Sequence, residues 1–250
     1  MLLSSLMQAS LFEFRHRWWV IFSIFFTAFL AYSIDPVNSG VAIVHWLAKQ
    51  LGTTATDNSY RLIFAFSALL LTLAALLRTW GTSYLQAEVM RDSQIHTESL
   101  LADGPYRYVR NPLYFGNILM AVGIGLMASR SGFVILSLGM TVFVMRLILR
   151  EEAELLRDQG DPYRRYCVAV PRLIASLTPR LASAGNAPHW GGSFRAELMY
   201  WLLALAVAAF AVTLNIKVFW GVFAVAMASS WLLKAPKTKQ GRASSPGRPS

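Results

Sequence analysis

The chain has 250 residues, of which 55% are hydrophobic and only 14% charged, with a mean hydropathy of +0.45; an ordinary soluble domain carries about 25% charged residues to wet its surface. So few charges exclude a water-soluble globule of this size, and most of the surface must face lipid. A single cysteine, Cys167, excludes an intrachain disulfide scaffold and a Cys-rich metal site, and the net charge of +10 is the kind that membrane proteins collect in cytoplasmic loops.

A spanning helix needs about 17–25 largely apolar residues. Six stretches approach that length: Trp18–Ile34, Tyr60–Leu77, Leu113–Ser129, Ser131–Met145, Leu198–Ile216 and Val218–Leu233. The sequence predicts an all-α integral membrane protein of about six spans. Gly40–Leu51, with His45 and Lys49, is too short and reads as an interfacial or re-entrant piece. Arg130 and Lys217 are the expected linkers of two tight hairpins, so the third and fourth spans, and the fifth and sixth, should pack as antiparallel neighbours. Four regions follow: a two-span N-terminal part (1–77), a core (78–174), a linker with a C-terminal two-span hairpin (175–233) and a basic, disordered tail (234–250). The N-terminus, stretches 78–112 and 146–195, and the tail hold 19 of the 23 Lys and Arg; the opposite side holds Lys49, Arg61, Arg130 and Lys217. That bias predicts both termini in the cytoplasm, in an inner, plasma or ER-type membrane. It also accounts for the basic charge without nucleic acid.

Apart from the edge residue Arg61, no Asp, Glu, Lys, Arg or His lies inside these spans, which disfavours an ion-coupled transporter. The four histidines are scattered singly, so no metal site is expected. Gly123-Ile124-Gly125 lacks the third glycine and the preceding strand of a dinucleotide fingerprint. The polar residues gather instead in two stretches that bracket the third and fourth spans: Gly104-Pro105-Tyr106-Arg107-Tyr108-Val109-Arg110-Asn111-Pro112-Leu113-Tyr114, and Arg150-Glu151-Glu152 with Asp161-Pro162-Tyr163, Tyr166 and Val170-Pro171-Arg172. Singly, these residues have ordinary uses: a turn at Gly104-Pro105, a first-turn proline at Pro112, interface tyrosines, and an Arg150–Glu154 i,i+4 pair. A hairpin that returns to the side it left nevertheless places Asn111, Pro112 and Tyr114 beside Glu151 and Glu152.

In order and spacing, these motifs resemble the isoprenylcysteine carboxyl methyltransferase family and the related phospholipid methyltransferases, over residues 78–174. The resemblance implies a membrane-embedded methyltransferase using S-adenosylmethionine, without a Rossmann domain. It places the cofactor against Glu98, Ser99, Leu100, Leu101, Tyr106, Asn111, Pro112, Leu113, Tyr114, Glu151 and Glu152, on the cytoplasmic side. Two departures are visible. Asn111 stands where the carboxyl methyltransferases have histidine, and the arginine they place one turn before the glutamates aligns with Leu147, flanked by Arg146 and Arg150. Arg146 joins Glu151 and Glu152 as the catalytic candidates. The implied acceptor is lipidic or hydrophobic, an isoprenylcysteine-like carboxylate or a phospholipid amine. The last two spans would serve as an oligomer contact or a substrate wall. Two other readings remain, a membrane NADPH-dependent sterol-type reductase and a non-catalytic transporter or scaffold.

Overall fold

The computed structural model describes residues 7–89 and 103–234, the side chains of 86–89 and 230–234 excepted. Glu98, Ser99, Leu100 and Leu101 lie outside the described residues. The elements are α1 (Leu11–Arg15), α2 (Arg17–Leu30, continued by a 3-10 turn, Ala31–Ser33), α3 (Ser39–Gln50), α4 (Asp57–Val89), a 3-10 turn at Gly104–Arg107, α5 (Pro112–Gly125), α6 (Arg130–Gln159), α7 (Asp161–Ala169), α8 (Trp190–Ala196), α9 (Leu198–Thr213) and α10 (Ile216–Lys234). No strand occurs among the described residues; Asn38 and Ser129 make one isolated bridge.

Each predicted span is helical, with different ends. Two helices, α4 and α6, are long and apolar enough to cross a bilayer; α8 and α9, bent by 61°, make a third if they form one span. Helix α2 with its 3-10 turn, α5 and the apolar part of α10 are shorter. The predicted Tyr60–Leu77 grows to 33 residues because no proline interrupts α4, and the extension carries Arg78 into the helix. The third span stops at Gly125, and residues 126–129 form the turn that Arg130 was expected to make alone. The Ser129 hydroxyl ends that turn by accepting from the Gly132 amide at 3.0 Å, the N-cap of α6. Between α9 and α10 the break is Leu214-Asn215. Leu214 adopts a left-handed φ of 50°, Asn215 Oδ1 caps the Lys217 amide at 2.9 Å, and Lys217 belongs to α10.

The short segment after α2 becomes α3. Its first residues reach the α5–α6 turn, where the Ser39 and Gly40 amides donate to the Ala128 and Leu126 carbonyls at 2.9 and 3.1 Å. A side chain at Gly40 would meet the Leu126 carbonyl at 2.9 Å, so glycine is what allows this docking.

Helix neighbours run in the order α10, α9, α4, α5, α6, α2. Leu71, Ala121, Ile124, Leu136, Met140, Val144, Ile148 and Val207 form the buried core between them. Small residues let the backbones meet: Ser67 donates to the Gly123 carbonyl at 2.6 Å. On α6, Val134, Leu138 and Val142 project outward at four-residue spacing and stay exposed, as do Leu62, Phe66 and Leu69 on α4. Apolar stripes of this kind require a lipid covering, and with the two long apolar helices they mark an integral membrane protein.

At one end, α6 continues past its apolar part to Gln159. Gly160, with φ at 65°, sits in the left-handed region that glycine tolerates best and starts α7. An extended segment after α7 is laced to the turn before α5. Pro171 O accepts from the Arg110 amide at 2.9 Å, Tyr108 O from Ser176 N at 2.9 Å, and Arg107 O from Arg180 N at 2.8 Å. Asp103 anchors the far end of this strap through the Ser183 hydroxyl at 2.5 Å, the Ala184 amide at 3.0 Å and the Asn186 amide at 2.8 Å.

Candidate functional site

A cavity of about 310 Å³ opens where the 3-10 turn, the start of α5, the end of α6 and α7 meet. Tyr106, Asn111, Pro112, Leu113, Tyr114, Glu151 and Glu152 line it, together with Arg110, Leu155, Gln159, Tyr163, Tyr166 and Leu85. The hairpin therefore brings together every described residue of the predicted cofactor set.

Local sequence explains each position. Pro112 opens α5 at a site where its missing N–H costs nothing, which starts the helix directly after Asn111 and places Tyr114 in its first turn. On α6, Glu151, Leu155 and Gln159 recur every four residues, and Glu152 lies beside them, so one helical face turns toward the turn.

The two glutamates play different parts. Glu152 is locked. Its Oε1 accepts from Arg110 Nε at 3.1 Å and Asn111 Nδ2 at 3.2 Å, and its Oε2 from Arg172 Nε at 2.9 Å. The Arg110 and Glu152 side chains are 7% and 9% exposed. Arg110 also donates to the Cys167 carbonyl, and Asn111 Nδ2 donates to the Arg172 carbonyl at 3.0 Å. Glu152 thus ties the turn, α6 and the strap into one unit. Glu151 accepts one hydrogen bond, from the Tyr114 hydroxyl at 2.6 Å, and no Arg or Lys among the described residues lies within ion-pair distance of it. The cavity therefore holds a partly buried carboxylate that has no ion-pair partner among the described residues.

The floor is aromatic. Tyr163 and Tyr166 sit with ring centroids 5.9 Å apart, and Tyr166 donates to the Tyr106 carbonyl at 2.9 Å. Burial pushes both hydroxyls well above the ordinary tyrosine range, so they remain protonated donors. Burial likewise pushes the Cys167 thiol up, which leaves it a poor nucleophile at neutral pH.

Arg146 is not brought to the cavity. At about 100° per residue it points about 140° around α6 from Glu151 and about 120° from Glu152. It pairs instead with Glu13 of α1 at 2.8 Å, and its carbonyl receives the Ala9 amide at 2.9 Å. Leu147, at the position aligned with the arginine, is fully buried in a second apolar cluster. The guanidinium group that lines the cavity and holds a glutamate is Arg110, which the sequence motif contains but to which no role was assigned. Its signal was its place directly before Asn111-Pro112. Leu155 and Gln159 were also missed, although helical spacing from Glu151 would have found them. Tyr163 and Tyr166 lay within the quoted motif.

Residues 62–159 match the family model described as phospholipid methyltransferase. The match runs from α4 through α6, so it holds the turn, Tyr114 and both glutamates, and leaves out α7, the strap and α8–α10. No curated protein and no solved structure matches the chain. Across this stretch, less than half of the chain, the sequence is similar to the phospholipid methyltransferases.

Proposed function

We propose that the protein transfers a methyl group from S-adenosylmethionine to a lipid-borne acceptor, with the donor held in the cavity between α5 and α6. The single observation that carries this reading is the unpaired Glu151 carboxylate at the cavity wall. A buried charge without a partner is costly, and a cationic ligand supplies the partner. The volume stands at the lower end of the about 300–1,000 Å³ common for small-ligand sites, and residues 90–102 adjoin it in sequence. An acid without an ion-pair partner, tyrosine rings and an amide suit a ligand that joins a sulfonium and an ammonium to a purine.

When bound, the donor supplies a methyl carbon on positive sulfur, which leaves to an acceptor lone pair while the C–S electrons return to sulfur. The protein's share is positioning and exclusion of water, which together are worth about 7–11 kcal/mol in favourable cases. Tyr114 fixes the Glu151 carboxylate through its hydroxyl. Glu152, through Arg110, Asn111 and Arg172, holds the two cavity walls at a constant spacing. Tyr106, Tyr163 and Tyr166 offer faces for stacking. A carboxylate acceptor needs no base; for an amine, Glu151 takes the released proton. The basic-residue bias of the sequence supports a cytoplasmic cavity and cytoplasmic termini.

Calorimetry of purified protein with S-adenosylmethionine tests the site. Binding in the micromolar range is expected, lost in Glu151→Gln and Tyr114→Ala. Undiminished binding in both variants, or binding of NADPH in place of S-adenosylmethionine, overturns the reading. Mass spectrometry of lipid extracts incubated with isotopically labelled donor then identifies the acceptor.

A further inference from the structure

Arg78 lies on α4, a helix apolar enough to cross a bilayer, one residue past the predicted span end at Leu77. Its Nε and Nη2 donate to Glu197 Oε2 and Oε1 at 2.6 and 3.2 Å, and the two side chains are 13% and 6% exposed. Its Nη1 donates to the Leu113 carbonyl at 3.1 Å and to Asn117 Oδ1 at 2.7 Å. The Tyr200 ring lies 4.2 Å beneath the guanidinium, and the Tyr200 hydroxyl also donates to Asn117 Oδ1, at 2.6 Å. Thr82 donates to Glu197 Oε1 at 2.7 Å. Leu113 belongs to the cavity wall. Arg78 is therefore a cation set against the back of a cavity in which, among the described residues, the Glu151 carboxylate has no ion-pair partner. Glu197 sits at the α8–α9 bend, outside the segment that matches the family.

We propose that Glu197 is a specificity-determining residue: by neutralising Arg78 it leaves Glu151 as the net charge of the cavity, so that the site favours a cationic sulfonium over the uncharged thioether left after transfer. This rests on the donor reading of the cavity. Donor and spent donor differ by one methyl group and one positive charge, and a pocket that reads shape alone separates them poorly. A buried neutral ion pair behind an unpaired carboxylate reads the charge. The C-terminal hairpin would thereby favour release of the product after each turnover.

The test is the ratio of equilibrium affinities for S-adenosylmethionine and S-adenosylhomocysteine, measured by calorimetry on the full chain. Glu197→Gln, which keeps the shape and removes the charge, should lower the ratio about tenfold, within the range common for coupled sites. Asn117→Asp adds a carboxylate where Arg78 and Tyr200 already donate, and should raise it. The double variant, with the original net charge, should return it to within about twofold of the parent. An unchanged ratio in Asn117→Asp, or a Glu197→Gln loss that Asn117→Asp does not rescue, overturns the proposal and leaves Glu197 a packing residue. If Glu197→Gln fails to fold, Asn117→Asp alone decides. Failure of the parent protein to bind either ligand overturns the donor reading itself, and the inference with it.

Discussion

Exchanging Glu152 for glutamine removes the charge that holds Arg110 and Arg172 to α6 while keeping the volume. The Arg110–Glu152 pair is 7% and 9% exposed, so the cation left behind is desolvated. Removing one partner of a buried pair costs about 3–5 kcal/mol. The lower end applies, because the amide still accepts one hydrogen bond and Arg172, 42% exposed, can turn to water. At about 2–4 °C per kcal/mol for a chain of about this length, a cost of about 3 kcal/mol lowers the unfolding temperature by about 6–12 °C. Intrinsic fluorescence of the eight tryptophans during heating in detergent reads the shift. Glu151→Gln breaks no ion pair and weakens one hydrogen bond, worth about 1 kcal/mol, so its melting point should stay within a few degrees of the parent while donor binding is lost. Equal melting shifts in the two variants would refute the division of labour between these adjacent glutamates.

Other consequences are smaller and separable. Tyr114→Phe keeps the ring and the Glu151 charge but removes the hydrogen bond that orients it, and should weaken donor binding by about tenfold, about the value of one hydrogen bond to a charged group; calorimetry measures it. Gly132→Val should lower the melting temperature, because a side chain there runs into the Ala28 carbonyl of α2 and overpacking costs about 1–3 kcal/mol. Burial raises the Asp103 carboxyl, but hydrogen bonds from Ser183, Asn186 and Ala184 outweigh it and hold the group below its ordinary 3.8. A depressed folded value contributes stability that is present above 3.8 and lost as pH falls through the folded value. Hydrogen exchange at the Ala184 and Asn186 amides should therefore accelerate only below about pH 4, and in Asp103→Asn the acceleration should be present at neutral pH.

Most of the cavity wall was legible because chain-local signals define it. Gly104-Pro105 makes a turn, Pro112 starts a helix, and a short hairpin returns Glu151 and Glu152 to Asn111 and Tyr114 whatever the rest of the chain does. Arg146 misled because an alignment gap of one residue is small in sequence but rotates a helical side chain by about 100°. The helices also run past the predicted spans, since apolar runs record where lipid begins and not where a helix stops; α4 continues through Arg78 and α6 through Glu151 without any breaker.

The sequence alone, through its scarcity of charge and its apolar runs, determined a helical membrane protein with a polar patch at one end of a hairpin. Which glutamate is free and which is locked depended on tertiary structure. Glu151 and Glu152 are chemically identical neighbours, and their difference comes from Arg110 and Arg172, 42 and 20 residues away. The same holds for Arg78, whose partner lies 119 residues downstream. Periodicity and motif spacing report contacts within a helix or a turn; charge compensation in a low-dielectric interior is settled by whichever distant group the packed helices bring within about 3 Å.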